Sequence, residues 1–143
     1  MNIENFLKID DKIYTSGLPE IEDFKDIKKE GFDIVISLSM PEDSKSLENE
    51  ELILTKLGIT YIHIPVDYLN PKLQDFEFFR KIVNCFKDKK LFIHCTKNFR
   101  VSIFMYLYKF AEENIEDEEL RLKFFIQNET WEQFIIDVKN ELR

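Results

Sequence analysis

Residues 91–110, LFIHCTKNFRVSIFMYLYKF, constrain the fold of this chain more than any other stretch. The run opens with four apolar or buried-type residues, 91–94, after a polar cluster at residues 87–90, and this pattern predicts a buried strand. It closes with residues 101–110, which are apolar on nearly every side and therefore predict a helix enclosed by the protein. The residues between them must form a tight loop that directs main-chain N–H groups and the positive end of the helix dipole to one point.

This loop carries a nucleophile at one end and a cation at the other. Cys95 ends the predicted strand, and the positive field at the start of the helix favours the thiolate form of a cysteine. Arg100 begins the predicted helix, and its guanidinium can hold two oxyanion oxygens at once. We therefore predict an anion site with a nucleophile at its base. The other loop residues that complete this anion site are Thr96, Lys97, Asn98 and Phe99.

The order of predicted elements indicates an α/β fold. Apolar, β-branched segments near residues 33, 60 and 91 predict three strands that are each separated by one helix, an order typical of parallel strands with right-handed connections. We expect a single domain over residues 1–143, in three layers, with a central, mostly parallel sheet of four to five strands and helices on both faces. Two acidic amphipathic helices are expected at the end. In such sheets the binding crevice lies outside the carboxyl ends of the strands, where Cys95 and Asp67 both fall.

Composition limits the classes of function. The formal charge of −8 argues against a general binder of nucleic acid or of anionic membranes, because a surface of that sign repels polyanions. No apolar run approaches the ~18 residues of a membrane span, and the first residues lack the apolar segment of a secretory signal. Two cysteines, Cys85 and Cys95, fit a reducing cytoplasm, and Cys85 is expected in the core. Together with His63 and His94 they are too few to predict a metal site.

Four segments carry a specific combination of residues, although each alone is weak: YTSGLP at 14–19, GFDIVISL at 31–38, YIHIPVD at 61–67, and His94-Cys95 with Arg100-Val101-Ser102. In this combination, which covers most of the chain, the sequence resembles the cysteine-dependent phosphatase superfamily of the small dual-specificity kind. It resembles more closely the bacterial protein-tyrosine-phosphatase-like family, once classified as a domain of unknown function.

The resemblance implies a two-step mechanism without cofactor or metal. Cys95 as thiolate would attack phosphorus and form a phosphocysteine, while Arg100 and the loop amides hold the equatorial oxygens. Asp67, 28 residues before the cysteine, matches the general acid that protonates the leaving oxygen and then helps water to attack. Ser102 could hydrogen-bond the thiolate, and His94 is expected to orient the loop. The implied partner is a phosphorylated small molecule or phosphoprotein, with a phosphate or sulfate ion held in the loop.

The spacing of the loop departs from that family. The phosphatase loop has five residues between cysteine and arginine, whereas this chain has four, so that Val101 stands where arginine is expected and only Ser102 keeps its usual offset. The loop has no glycine. Either Asn98 adopts a left-handed backbone conformation, or the loop contains no residue in that conformation. The short loop leaves two alternatives open: an impaired phosphatase-like protein that binds an anion or phosphorylated partner, and a rhodanese-like sulfurtransferase, whose loop has this length.

Plain structural roles also remain open for the residues singled out. Cys95 could fill space in the core, Arg100 could form an ion pair, and Ser102 could be an ordinary hydroxyl at a helix start. Asp67 could be a turn residue beside Asn70-Pro71. Asp75 competes for the role of general acid but fits better at the start of the third helix.

Overall fold

A central sheet of five short strands organises the part of the chain that the structure describes, residues 1–43 and 47–142 of a computed structural model. The strands are β1 (Leu7–Lys8), β2 (Ile13–Ser16), β3 (Ile34–Ser37), β4 (Thr60–His63) and β5 (Leu91–His94). They lie in the order β1-β2-β5-β3-β4, and every neighbouring pair is parallel except β1 with β2. The predicted mostly parallel sheet of four to five strands is confirmed.

Six helices accompany the sheet within the described residues: α1 (Ile21–Lys29), α2 (Glu50–Lys56), α3 (Leu73–Cys85), α4 (Phe99–Glu113), α5 (Glu118–Leu122) and α6 (Glu129–Glu141). One helix separates each successive pair among β3, β4 and β5, as the sequence predicts. The two acidic helices expected at the end of the chain are α5 and α6. Among these helices, none is long and apolar enough to cross a membrane.

The side chains of the inner strands are buried on both faces of the sheet, which is typical of parallel strands covered by helices. On one face, Ile36 and Ile93 belong to a core that includes apolar residues of α3, α4 and α6. On the other face, Val35 and Phe92 belong to a second core with residues of α1 and α2. The predicted three-layer arrangement is therefore confirmed, and α4, buried along residues 99–108, is its central helix.

The carboxyl ends of four strands meet at one edge of the sheet. In the register of the sheet, Ser16 and Ser37 both pair with His94, and Ser37 also pairs with His63. The loops that follow β2, β3, β4 and β5 therefore converge at this edge, where parallel sheets place their binding sites.

Two details of the sequence interpretation need comment. The prediction that Cys85 lies in the core is wrong, because the last turn of α3 exposes this residue to solvent. The polar loop predicted over residues 40–45 begins with a turn in which the N–H of Asp43 donates to the carbonyl of Met40, at 3.1 Å. Residues 44 and 45 of this predicted loop lie outside the described residues.

Candidate active site

The loop between β5 and α4 turns on Asn98. This residue has φ = 66°, the left-handed conformation that asparagine tolerates better than other non-glycine residues. Its side-chain amide donates to the carbonyl of Asn5 at 2.9 Å and to the hydroxyl of Thr15 at 3.0 Å. Asn98 thus supplies the position that a glycine would usually occupy, and buried hydrogen bonds hold it there.

Ser102 supports this turn from the first turns of α4. Its hydroxyl donates to the side-chain oxygen of Asn98 at 3.1 Å, and both residues are buried. The proton of Ser102 is therefore directed to Asn98 and not to the sulfur of Cys95. In this geometry Ser102 stabilises the loop, whereas its suggested hydrogen bond to the thiolate remains a prediction.

The main-chain N–H groups of the loop differ in their partners. The N–H of Thr96 bonds no acceptor among the described residues, whereas Lys97 and Gly17 pair in an isolated antiparallel bridge that engages main-chain groups of the loop. The loop lies directly before α4, whose first N–H groups have no intrahelical partner and form the positive end of the helix dipole. Such a set of amides can bind an oxyanion.

Arg100 is turned into the protein and not toward bulk water. Only 5% of its surface is exposed. Its Nη1 donates to the carbonyl of Val66 at 2.9 Å, and its Nη2 donates to Oδ2 of Asp43 at 2.7 Å and to the hydroxyl of Thr96 at 3.1 Å. The guanidinium therefore joins α4 to the loops that follow β3 and β4.

Asp43 is a site residue that the sequence interpretation missed. Besides the guanidinium of Arg100, its Oδ2 accepts the hydroxyl of Thr96 and the N–H of Met40, both at 3.1 Å. Its position after β3 could have indicated it, because the segments that follow β3 and β5 begin at the same carboxyl edge of the sheet.

His94 joins the loop to α2. One ring nitrogen, Nδ1, lies 3.2 Å from the carbonyl oxygen of Cys95. The other, Nε2, lies 2.7 Å from a carboxylate oxygen of Glu50, which is only 8% exposed. His94 thus contacts the cysteine loop as expected, and Glu50, a partner that no sequence signal indicated, fixes the ring.

Asp67 is placed in a turn next to the site. Its carboxylate accepts the N–H of Leu69 at 2.9 Å, and its carbonyl accepts the N–H of Asn70 at 3.1 Å. Asp67 is not among the residues that line the cavity beside Cys95, and neither is Asp75, which lies in the first turn of α3. Burial raises the pKa of Asp75 above its ordinary value.

A cavity of about 380 Å³ opens over the loop. Its polar lining includes Cys95, Thr96, Lys97, Arg100 and Asp43. A second, apolar group of lining residues consists of Tyr68, Phe99, Phe124 and Ile126. The cavity therefore combines a thiol and a guanidinium with an apolar wall.

No metal site accompanies these groups in the described residues. Within residues 1–43 and 47–142, no cluster of three or more His, Cys, Asp and Glu side chains could hold a metal ion.

Solved structures with the same architecture are phosphatases by name. A DUF442 protein from Shewanella putrefaciens CN-32, provisionally named a phosphatase, is 27% identical, with a TM-score of 0.91, over 99% of this chain and 95% of its own. The catalytic domain of the PP-IP phosphatase SIW14 from S. cerevisiae, solved with citrate, is 20% identical, with a TM-score of 0.75, over 99% and 96% of the two chains. PTPMT1, solved with PI(5)P, is 15% identical, with a TM-score of 0.79, over 96% of both.

At these lower identities the last two structures show the fold alone. No protein-family model matches the chain, and no curated protein matches it either. The resemblance therefore rests on the three-dimensional architecture and on the Shewanella protein. It confirms the similarity to protein-tyrosine-phosphatase-like proteins that the sequence indicates.

Proposed function

We propose that this chain, which has the fold of the protein-tyrosine-phosphatase-like proteins, hydrolyses phosphomonoesters through Cys95. The observation that carries the proposal is that Cys95 and Arg100 line one cavity at the start of α4. The N–H of Thr96 in this loop bonds no acceptor among the described residues, and the first N–H groups of α4 have no intrahelical partner. A thiolate, a guanidinium and these amides are the groups that transfer of a phosphoryl group to sulfur requires.

In the proposed first step, the Cys95 thiolate attacks phosphorus, the bond from phosphorus to the ester oxygen breaks, and a phosphocysteine forms. Arg100 and the loop amides stabilise the charge on the equatorial oxygens. In the second step, water attacks phosphorus, inorganic phosphate leaves, and the thiolate returns. His94 supports the loop through its contact to the carbonyl of Cys95.

We assign the role of general acid to Asp67 because the residue before it, Val66, contacts the site. Val66 is tied to the site, since its carbonyl accepts a hydrogen bond from Arg100. Asp67 follows it directly, and its carboxylate is held only by the N–H of Leu69 in an exposed turn. Rotation out of this turn would bring the carboxyl group toward the leaving oxygen, where it gives up its proton and later receives one from water.

The lining of the cavity favours a substrate with one phosphoryl group on an apolar, aryl-like leaving group, such as phosphotyrosine or a small aryl phosphate. Tyr68 and Phe99 contact each other edge to face, with ring centroids 5.3 Å apart, and Trp131 donates to the carbonyl of Tyr68 at 2.8 Å. Within residues 1–43 and 47–142, the cations that line the cavity beside this wall are Lys97 and Arg100, and Arg100 is already paired with a carboxylate. A polyphosphorylated ligand would need more positive charge.

The neighbouring structures agree with a phosphate-bearing ligand, since one is a PP-IP phosphatase and another holds PI(5)P. For this chain we propose a phosphorylated small molecule or a phosphoprotein. Because the mechanism needs the thiol of Cys95 reduced, we place the activity in the cytoplasm.

A second candidate function is binding of an anion or phosphorylated partner without turnover. It is favoured by three observations: the loop has one residue fewer than the phosphatase loop, Asp67 is engaged in a turn, and Asp43 occupies Arg100. Sulfur transfer, which the loop length also allows, remains a prediction from the sequence.

The decisive experiment compares two cysteine variants in an aryl phosphate assay. We expect Cys95→Ser to abolish turnover, because a hydroxyl is a far weaker nucleophile than a thiolate. The matched control is Cys85→Ser, the same chemical change at an exposed thiol, which should turn over like the wild type. Equal rates in both variants would reject the role of Cys95. Phosphate binding without turnover in the wild type would favour the second candidate.

A further inference from the structure

Asp43 holds the guanidinium that the proposed function assigns to the phosphoryl oxygens of the substrate. We propose that Asp43 is an internal competitor for the anion site: its carboxylate neutralises Arg100 at rest, and a phosphoryl group must displace it to bind. This inference rests on the proposed function for the position of the phosphoryl group, although it concerns binding and not the chemical step.

The hydrogen bonds of Arg100 make the competition unavoidable. Nη1 is engaged by the carbonyl of Val66, and Nη2 by both Asp43 and Thr96. A guanidinium can offer an oxyanion two pairs of parallel N–H groups, Nε with Nη2 and Nη1 with Nη2. Nη2, which has two hydrogens, belongs to both pairs. A two-point grip on phosphate therefore requires that Nη2 release one of its two acceptors.

Asp43 is the acceptor that a phosphate would replace. Of the three acceptors on Arg100 it alone carries a negative charge, so it would repel a bound phosphate, whereas the Thr96 hydroxyl and the Val66 carbonyl would not. Asp43 also lines the same cavity as Cys95, and its side chain is 20% exposed. The Asp43 carboxylate thus lies in the cavity and contacts Arg100, as we expect the oxygens of a bound phosphate to do.

The segment that carries Asp43 can move without disturbing the sheet. Asp43 follows β3 by six residues and lies outside every strand and helix. Its main-chain N–H donates only to the carbonyl of Met40, within the same turn. Release of Asp43 would therefore cost the contacts to Arg100, Thr96 and the N–H of Met40, and no bond of the sheet. The same competition would assist release of inorganic phosphate after hydrolysis.

The test is calorimetric titration of the wild type, Asp43→Asn and Glu42→Gln with inorganic phosphate. The asparagine can keep a hydrogen bond from Arg100 or Met40, but it carries no negative charge. Phosphate then no longer has to replace an ion pair or face a carboxylate, so we expect Asp43→Asn to bind phosphate about tenfold more tightly than the wild type. Glu42 is exposed and its side chain has no hydrogen bond to the described residues, so Glu42→Gln makes the same change of net charge one residue away. It should differ from the wild type by less than about twofold, since exposed charges are screened.

A dissociation constant for Asp43→Asn that equals or exceeds the wild-type value would overturn the proposal, as would the absence of phosphate binding in all three proteins. An equal gain in Glu42→Gln would overturn it too, because the effect would then be one of net charge. If the asparagine variant folds poorly, Asp43→Ser can replace it. For this variant the increase of the melting temperature with added phosphate provides a second measure of binding.

Failure of the proposed function can be told apart from failure of this inference. The titration measures binding of phosphate and needs no turnover. If Cys95→Ser and the wild type show equal rates with an aryl phosphate, the proposed function fails, while tighter binding by Asp43→Asn would still support the competition. Conversely, Cys95-dependent turnover combined with unchanged binding in Asp43→Asn would reject the competition alone.

Discussion

Two carboxylates at the carboxyl edge of the sheet have different surroundings. The carboxylate of Asp43 forms an ion pair with the guanidinium of Arg100, with Oδ2 and Nη2 2.7 Å apart. Asp67 has no cation on its carboxylate among the described residues and accepts only the N–H of Leu69. These contacts agree with the two roles that we propose, Asp43 as a competitor for the anion site and Asp67 as the general acid.

At this scale we predict the effect of Asp67→Asn. Because an amide cannot protonate the leaving oxygen, turnover of phenyl phosphate should fall by about 10²–10⁴, the usual contribution of a general acid. Turnover of p-nitrophenyl phosphate, whose leaving group needs little protonation, should fall much less. The measurement is kcat with both substrates.

The matched control for this prediction is Asp75→Asn, which makes the same substitution at the competing carboxylate in α3. Burial raises the pKa of Asp75, but this residue does not line the cavity beside Cys95. We expect Asp75→Asn to hydrolyse both substrates at the wild-type rate. A larger loss in Asp75→Asn than in Asp67→Asn would assign the acid to α3.

The turn between β2 and α1 packs against the cysteine loop at Gly17. A Cβ added there would lie 2.7 Å from the carbonyl oxygen of Thr96, a main-chain atom that cannot turn away. The neighbouring Leu18 N–H donates to that same carbonyl at 3.0 Å. The turn at Gly17 and Leu18 therefore contacts the loop at the Thr96 carbonyl, and only glycine permits so close an approach.

We predict that Gly17→Ala lowers both stability and phosphate affinity. Overpacking of this kind costs about 1–3 kcal/mol in the free energy of unfolding, measured by urea denaturation. The displaced Thr96 carbonyl should also weaken phosphate binding in calorimetry.

The control is Gly58→Ala. Gly58 has φ = 74°, so alanine there is strained, yet its Cβ would make only ordinary van der Waals contact with the Lys28 side chain, 3.6 Å away. It should lose stability alone, by about 1 kcal/mol. If both variants kept the phosphate affinity of the wild type, Gly17 would have no part in shaping the site.

Across the whole molecule, ion pairs join the helices on the α4 face. Arg80 of α3 hydrogen-bonds Glu112 of α4 and lowers the pKa of that carboxyl below its ordinary value of 4.5. Lys139 of α6 and Lys109 of α4 act in the same way on Glu116 and Asp117, which lie just before α5. The acidic surplus of the sequence is thus used in part to connect α3, α4, α5 and α6.

These lowered pKa values predict acid instability. A carboxyl whose pKa is lower in the folded state stabilises the fold fully above its unfolded pKa, and this contribution is lost as the pH falls through the folded value. The free energy of unfolding should therefore decrease below about pH 4.5, where the unfolded chain binds more protons. The raised pKa of Asp75 acts in the opposite direction, but it is a single group.

Urea midpoints at pH 7 and pH 3.5 measure this effect. We expect Glu112→Gln to be less stable than the wild type at pH 7 and to lose less stability on acidification, since one of the linked protons is absent. The adjacent Glu113 is exposed and forms no ion pair with any residue that the structure describes, so the stability of Glu113→Gln should depend on pH as that of the wild type does. Identical acid dependence in all three proteins would exclude the contribution of Glu112.

The sequence by itself determined the order of strands and helices and the position of Cys95 and Arg100 at the two ends of one loop. Both follow from local rules: apolar periodicity selects each element, and six consecutive residues cannot separate in space. It also limited the left-handed position of that loop to Asn98, which has φ = 66°.

The tertiary structure alone decided which distant groups meet this loop. Asp43 and Arg100 are 57 positions apart, and Glu50 and His94 are 44 apart. Their contacts depend on the paths of the segments after β3, which no periodic pattern determines, because these segments are placed by the packing of the sheet edge. For the same reason the sequence could indicate an anion site at Cys95, but not that a carboxylate of the chain itself binds Arg100 there.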